Sequence, residues 1–433
     1  MHPDRLDISR FIPTPRRSLL RQVADLSAEL GSPAYLVGGF VRDALLKRPI
    51  NDFDIVIEGD ATKLGRALVK HHGGRVTVHA PFKTATWFLP ERAEGERAGS
   101  PRPDFIDLIS ARSETYAHPA ALPTVKLGSL VDDLRRRDFT VNSMAVRLDG
   151  DHFGELTDPL GGRADLERGL VRVLHPNSFV DDPTRLFRAV RYAARYQFQI
   201  ESSTEALVPA ALPYVDKLSP ERLRHELDLI FEEEDSVPMM EKLWELEIVG
   251  QVQPALPSDE ATRTRFQQTR SNCVVPPRAV PPEVIQRREW RWIVWLMESS
   301  HKEIRAFSKR LHFTAGLLKK ILAASTIFHE LDSFKGIRPS ECVARLDGFP
   351  ADATTAVWFC APRGETHAML GAYLTKWKSV KPLATGETLQ AMGVPFGPRI
   401  GETLWRLRAA WLDGEVTSAE GERKLLEKLI GRG

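Results

Sequence analysis

The stretch Ala34–Glu58, AYLVGGFVRDALLKRPINDFDIVIE, decides the fold. An apolar strand from Ala34 runs into a Gly38-Gly39 turn, a short helix, a second turn marked by Pro49 and a second strand. In that second strand Phe53, Ile55 and Ile57 alternate with Asp52, Asp54 and Val56. Strand side chains alternate faces, so the spacing predicts both aspartates on one face, one pleat apart. Two carboxylates that close repel unless a cation neutralises them. Hard oxygen ligands of this kind suit Mg²⁺, which combines one or two carboxylates with substrate phosphates. Gly38 and Gly39 let backbone N–H groups approach a phosphate just ahead of a helix N-terminus. Arg42, one turn into that helix, adds a charge-assisted contact, and the parts together predict a triphosphate site with a metal.

With 433 residues the chain exceeds one ordinary core, and two to four domains are expected. A net charge of +2 leaves nucleic acid as a partner open, because binding depends on local basic patches. Cys273, Cys342 and Cys360 are scattered, with neither metal spacing nor even pairing. That pattern fits a reducing compartment and excludes a disulfide framework. The first seventeen residues, MHPDRLDISRFIPTPRR, hold no apolar signal core, and no stretch reaches membrane-spanning length, so a cytoplasmic protein without a membrane partner is expected.

Three further segments carry chemistry. Asp104–Ser110, DFIDLIS, is a strand that sets Asp107 among apolar neighbours, where a buried carboxylate needs a partner: a nearby metal, local backbone or an arginine. Asp132–Ala145, DDLRRRDFTVNSMA, is either a solvated helix end or a phosphate and ribose site, since arginines bind phosphate bidentately. In Asp181–Ile200, DDPTRLFRAVRYAARYQFQI, Pro183 suits an early helical position. Leu186, Ala189, Val190, Ala193 and Ala194 give that helix an apolar face, while Asp182, Arg185, Arg188 and Arg191 recur every three residues as a polar stripe. The apolar positions Leu19, Leu20, Val23, Leu26 and Leu30 predict an earlier helix over 18–31. Residues 90–103 read as an exposed hairpin loop, and the Pro- and Ala-rich run after Tyr116 as a mobile loop.

GGxVRD followed by DxD resembles the nucleotidyltransferase core of the class II CCA-adding tRNA nucleotidyltransferase and bacterial poly(A) polymerase family. The resemblance extends through ARxExY (Ala111–Tyr116), RRDFTxN (Arg136–Asn142), the DPxGGxxDL run from Asp158 and the ERxxxE of Leu218–Phe231. It also includes EDxxR, with Asp181 in place of Glu. It covers about the first 230 residues and, more weakly, the tail Gly393–Glu422.

The family implies an α+β protein: an N-terminal head with mixed β-sheet and helices (1–162), then an all-helical neck (163–232), body (233–340) and tail (341–433). It implies catalytic Asp52, Asp54 and Asp107, with Mg²⁺ on Asp52 and Asp54. Gly38, Gly39, Arg42, Arg137, Asp138, Asn142, Arg188 and Arg191 would bind nucleotide, and Asp182 with Arg185 would read its base. That assignment is chemically sensible: arginine only donates and an ionised aspartate only accepts, so the pair complements edges of C or A. Loops at the position after Tyr116 take part, in the family, in the switch between adding C and adding A.

The expected activity is template-independent addition of CMP and AMP from CTP and ATP to tRNA lacking all or part of its 3′ CCA end. Alternatives are an A-adding or CC-adding enzyme, a poly(A) polymerase, or a non-catalytic RNA-binding protein of the same fold. Lys302, Arg305, Lys309, Arg310, Lys319 and Lys320, with Arg399, Arg406 and Arg408 in the tail, are either RNA contacts or a solvated surface. The tryptophans of the body are read as core, and a monomer or homodimer is expected.

Overall fold

The chain forms two compact units, Met1–Leu218 and Ser219–Gly433. The computed structural model describes residues 4–12, 14–50, 53–79, 83–90, 104–270 and 286–431. The first unit is built on β1 (Ala34–Val37), β2 (Ile55–Ile57), β3 (Arg75–His79), β4 (Thr84–Phe88), β5 (Phe105–Ser110), β8 (Ala145–Arg147) and β9 (Leu156–Thr157), while β6 (Arg112–Thr115) and β7 (Thr124–Leu127) form a separate hairpin. The sheet order is β3-β4-β5-β2-β1-β8-β9. Strand β2 sits in its middle, antiparallel to β1 with Leu36 opposite Ile55, and parallel to β5 with Ile55 opposite Leu108.

The helices of this unit that bear on the site are α1 (Thr14–Glu29), α2 (Gly39–Leu45), α3 (Ala61–His72), α4 (Leu130–Arg135), α5 (Gly162–Arg168), α6 (Ser178–Asp181) and α7 (Thr184–Tyr196). Asp60 caps α3 by accepting from the N–H groups of Thr62 and Lys63, and Gly73 ends it at φ 76°. Gly65 lets α3 lie close on the sheet, since a Cβ there would stand 2.9 Å from Val76 Cγ2. On the opposite face Tyr35, Val37, Val56 and Ala145 pack with Leu130 and Leu134 of α4. In α1 the positions Leu19, Leu20, Val23 and Leu26 are buried as predicted, but Leu30 lies past the last helical residue and is 48% exposed.

Two further expectations change. The second strand is only Ile55–Ile57, buried at all three residues and paired along both edges. Asp54 precedes it and is exposed, and Asp52 lies outside the described residues. A central strand has no room for alternating carboxylates, so the polar residue falls where pairing ends. The run after Tyr116 is likewise anchored: β7 pairs with β6, Ala120 donates its N–H to the carbonyls of Val180 and Asp181, and Gly128 donates to Ala111. The predicted loop 90–103, apart from Pro90, and the Pro-rich run Cys273–Val284 lie outside the described residues.

The second unit is helical throughout its described residues. Ser219 caps the helix Pro220–Glu232, whose Leu223, Leu227 and Ile230 are buried. Trp290, Trp292, Ile293, Val294 and Trp295 of the helix Arg287–Leu296 are core, as the sequence predicts. Arg291 is buried among them and donates to the carbonyls of Phe231, Glu233 and Glu234 at 2.7, 2.5 and 2.8 Å. A guanidinium there satisfies the acceptors that the C-terminus of the helix Pro220–Glu232 leaves open.

Helix α5 begins at Gly162, where a Cβ would lie 2.2 Å from the Thr140 carbonyl oxygen and 3.0 Å from Met144 Cγ. A backbone oxygen cannot rotate away, so Gly162→Ala is expected to lower stability by about 2 kcal/mol. Thermal denaturation tests this, and an unchanged melting temperature would refute it.

Candidate active site

A cavity of about 840 Å³ is lined by residues from α2, the end of β2, the β3–β4 hairpin, β5, β6, the segment after α4, and α7. Eight arginines line it (42, 112, 136, 137, 185, 188, 191 and 195), against five carboxylates: Asp43, Asp54, Glu114, Asp138 and Asp182. Such an excess of guanidinium charge suits a polyanion.

Asp54 is one of these carboxylates, and Asp107 stands beside it on the neighbouring strand. The parallel register that sets Ile55 opposite Leu108 puts Asp54 level with Asp107 on the same sheet face. Asp54 also borders a second cavity of about 400 Å³, which Asp107 lines with it. Asp107 is exposed and accepts from Thr86 Oγ1 at 2.6 Å, which corrects the expectation of a carboxylate buried among apolar neighbours. Ile106 and Leu108 point to the opposite, buried face, as the two-residue period requires. Among the described residues no three Asp, Glu, His or Cys side chains converge as a metal cage. Two exposed carboxylates on adjacent strands still fit a hard divalent ion whose remaining ligands come from substrate.

The turn expected to meet a phosphate differs in detail from its prediction. Gly38 has φ 63° and donates its N–H to the Met144 carbonyl, so that donor is spent within the fold. Its missing side chain matters more, because a Cβ would stand 2.5 Å from Arg137 Nη1. Gly39 lines the cavity itself. Arg42 is buried: Asp43 takes its Nε and Nη2, Asn142 Oδ1 takes Nη1 at 2.6 Å, and the ring of Tyr196 lies 4.4 Å beneath it. Burial opposes its charge, but the Asp43 contacts prevail and raise its pKa.

Asp138 is the hinge of the arrangement. It receives Arg188 Nε at 2.9 Å, the Asn142 amide at 2.9 Å and the Phe139 N–H. Burial would raise its pKa, yet Arg188 and Asn142 outweigh it and hold the carboxyl at about 2. Asp138 and Asn142 therefore position arginines rather than offer free groups. Arg137 is paired with Asp133, and the Nε atoms of Arg137 and Arg191 are buried without an acceptor.

On α7 the predicted polar stripe faces inward. Arg185 is 5% exposed and donates to Ser178 Oγ at 2.6 Å and the Arg136 carbonyl at 2.9 Å. Asp182 accepts from Thr184 N–H and Oγ1, and lines the cavity beside Arg185. Arg185 and Arg191 are thus buried rather than solvated on an open helix face.

Several residues in or behind the lining were not assigned a role from the sequence. Glu114 accepts from Arg112, Arg136 and Tyr116, and fully buried Asp133 accepts from Arg136 and Arg137. The spacing of Asp133 from Arg136 and Arg137, three and four residues, is the signal that points to the latter pairing. Tyr192 accepts from Arg188 across one helical turn.

In the second unit Lys302, Arg305 and Lys309 are exposed on one face of the helix His301–Leu311, and Arg399 is exposed. Lys320 is held between Glu289 and Asp352, Arg406 pairs at the surface with Glu415, and Arg408 pairs with Asp347.

The profile of the "Poly A polymerase head domain" matches residues 34–172, and that of the "Probable RNA and SrmB-binding site of polymerase A" matches residues 197–259. The chain is 32% identical to a CC-adding tRNA nucleotidyltransferase of Deinococcus radiodurans, over 94% of this chain and 92% of that one. It is 31% identical to an A-adding tRNA nucleotidyltransferase of Geobacter sulfurreducens, over 98% of this chain but 48% of that one. The chain thus spans about half the length of the A-adding relatives from Geobacter sulfurreducens and Halalkalibacterium halodurans. A solved CCA-adding enzyme in its apo form superposes with a TM-score of 0.83 at 28% identity, covering 97% of each chain. The Thermotoga maritima CCA-adding enzyme complexed with tRNA gives 0.81 at 27% identity, with both chains fully covered. The chain belongs to the tRNA nucleotidyltransferase and poly(A) polymerase family.

Because the folded pKa of Asp138 lies below its ordinary 3.8, its pairing stabilises the protein above that pH and is lost as pH falls toward 2. Asp138→Asn is expected to cost roughly 1–2 kcal/mol at pH 7, with part-exposed Arg188 tempering the effect. It should also flatten the loss of stability between pH 4 and 2. Denaturant titration across pH measures both, and a variant with the parent's stability and acid profile would refute the pairing's role.

Proposed function

We propose that this protein adds nucleotides to the 3′ end of tRNA from CTP and ATP, releasing pyrophosphate and completing the CCA terminus. One observation carries the reading: a cavity lined by eight arginines also holds Asp54, together with Asp182, just ahead of α7, and Arg185 in its first turn. A triphosphate and a base, each with its own partners, match those two parts.

In this reading the arginines bind and orient the triphosphate, with Arg137 beside the Gly38 turn and Arg188 and Arg191 on α7. Asp138 and Asn142 fix Arg188 and Arg42 in place, so that the guanidiniums meet substrate without reorganising. Asp182 offers an acceptor to the exocyclic amine that C and A carry and U lacks, while Arg185 is a donor-only neighbour. No side-chain nucleophile is needed, because the RNA supplies the attacking hydroxyl. Asp54 and Asp107, together with Asp52, would hold Mg²⁺. That ion supplies charge neutralisation and a lowered pKa for a bound hydroxyl.

The division into head, neck, body and tail at 1–162, 163–232, 233–340 and 341–433 accompanies this reading, with Lys302, Arg305, Lys309 and Arg399 as contacts to RNA phosphates. Among the described residues no helix is long and apolar enough to cross a membrane. A cytoplasmic location follows from the proposed tRNA substrate.

A narrower reading is addition of the terminal A alone. Addition of the two C residues alone is the other partial activity: over nine-tenths of the chain or more, A-adding and CC-adding relatives share 30–32% identity with it, against 25–26% for the CCA-adding relatives from two lactobacilli. Three tRNA transcripts, ending before CCA, after C and after CC, separate the readings when offered CTP, ATP or both with Mg²⁺. Completion to CCA on all three supports the full activity; extension of only the CC-ended tRNA with ATP supports the narrower one. Long A tails would mean a poly(A) polymerase, and no product would refute nucleotide addition.

Two variants probe the assignments. Asp54→Asn should reduce incorporation by about three orders of magnitude while leaving tRNA binding intact. Asp182→Asn should lower discrimination of C and A against U by about tenfold with little change in triphosphate affinity. Unchanged nucleotide choice in the second variant would remove Asp182 from base reading.

A further inference from the structure

A base held only at its edge, in a cavity open to water, gains little until one of its faces is covered. Three aromatic residues line the cavity among the described residues: Phe40, Tyr116 and Tyr192. Phe40 packs on Phe53 with ring centroids 5.4 Å apart. Tyr192 sets its ring against Phe139, and the guanidiniums of Arg42, Arg188 and Arg191 lie 5.4–5.5 Å from it. Among the described residues no ring or guanidinium is stacked on Tyr116.

The position of Tyr116 is set from several sides. Its hydroxyl donates to Glu114 Oε2 at 3.2 Å, and Glu114 Oε1 is held by Arg136 at 3.1 Å. The Arg136 carbonyl in turn accepts from Arg185 at 2.9 Å. Four residues beyond Tyr116, the Ala120 N–H is bonded to the carbonyl of Asp181, next to Asp182. Burial pushes the Tyr116 hydroxyl up to about 12, and Arg185 and Asp182 lie within electrostatic reach of it. The ring is thus half-buried, tethered at its hydroxyl end and placed beside the pair that meets the edge of the base.

From this arrangement we infer that Tyr116 supplies the flat face on which the base of the incoming nucleotide stacks while Asp182 and Arg185 meet its edge. The inference rests on the reading of the cavity as a nucleotide-addition site. Stacking on an aromatic ring is tolerant of base identity and grows with ring size, so a purine gains more than a pyrimidine.

The test compares the unaltered protein with Tyr116→Phe and Tyr116→Leu, measuring KM and kcat for single additions of C and of A to tRNA. Tyr116→Phe keeps the face and loses the tether, and its KM values should stay within about twofold of the parent's. Tyr116→Leu keeps bulk and loses the face: KM for ATP should rise about tenfold, KM for CTP less, and kcat change by under about threefold. Equilibrium binding of ATP without RNA should weaken in the same order. Equal KM increases in both variants would assign the effect to the hydroxyl tether and overturn the stacking, as would an active Leu variant with unchanged KM. No incorporation by the unaltered protein would instead overturn nucleotide addition itself, and the inference with it.

Discussion

Confining eight guanidiniums around one cavity is the constraint that the first unit answers. Like charges at such density repel, and each desolvated arginine needs its donors met. The solution is a set of carboxylates placed behind the arginines: Asp43 behind Arg42, Asp133 behind Arg136 and Arg137, Asp138 behind Arg188, and Glu114 behind Arg112 and Arg136. Each pair leaves part of a guanidinium facing the cavity while fixing its direction. The charge is therefore held in place before any substrate arrives, which removes the cost of arranging it during the reaction.

The same logic explains which residues of the site contact substrate in the proposed reading and which hold other residues. Asp138 and Asn142 look like ligands from sequence alone because they sit in a motif with arginines. In the folded protein Asp138 is spent on Arg188 and Asn142 on Arg42 and Asp138. Asp54, just ahead of β2, and Asp107, on the open face of β5, stay exposed. The division follows burial: a carboxylate inside must be paired, whereas one at the mouth of a sheet can remain available to a cation.

Much of this was legible in the sequence. The strand, turn, helix and strand around Gly38-Gly39, the early helix with Leu19, Leu20, Val23 and Leu26 buried, and the apolar face of α7 all rest on local patterns, and local patterns survive folding. Pairing across long stretches of chain was less visible. Nothing near Asp107 in sequence tells that its face of β5 is open, because that depends on where β4 and β2 lie. The run after Tyr116, rich in Pro and Ala, has a weak strand signal, yet β7 forms because β6 is there to pair with it. Arg406 and Arg408 read as free basic residues until Glu415 and Asp347 are brought beside them.

The parallel pairing of β2 with β5 has a consequence for the order of events on the ribosome. Antiparallel neighbours can zip from a short turn, but a parallel pair must wait for the intervening chain, here through α3, β3 and β4, to be made and folded back. The cavity draws its lining from Gly39 to Arg195, so synthesis must pass that arginine before the site can close. A nascent chain halted earlier would carry a partial cluster of guanidiniums without the α7 residues that complete it. For this protein the chemistry belongs to a finished first unit, and no shorter N-terminal fragment inherits it.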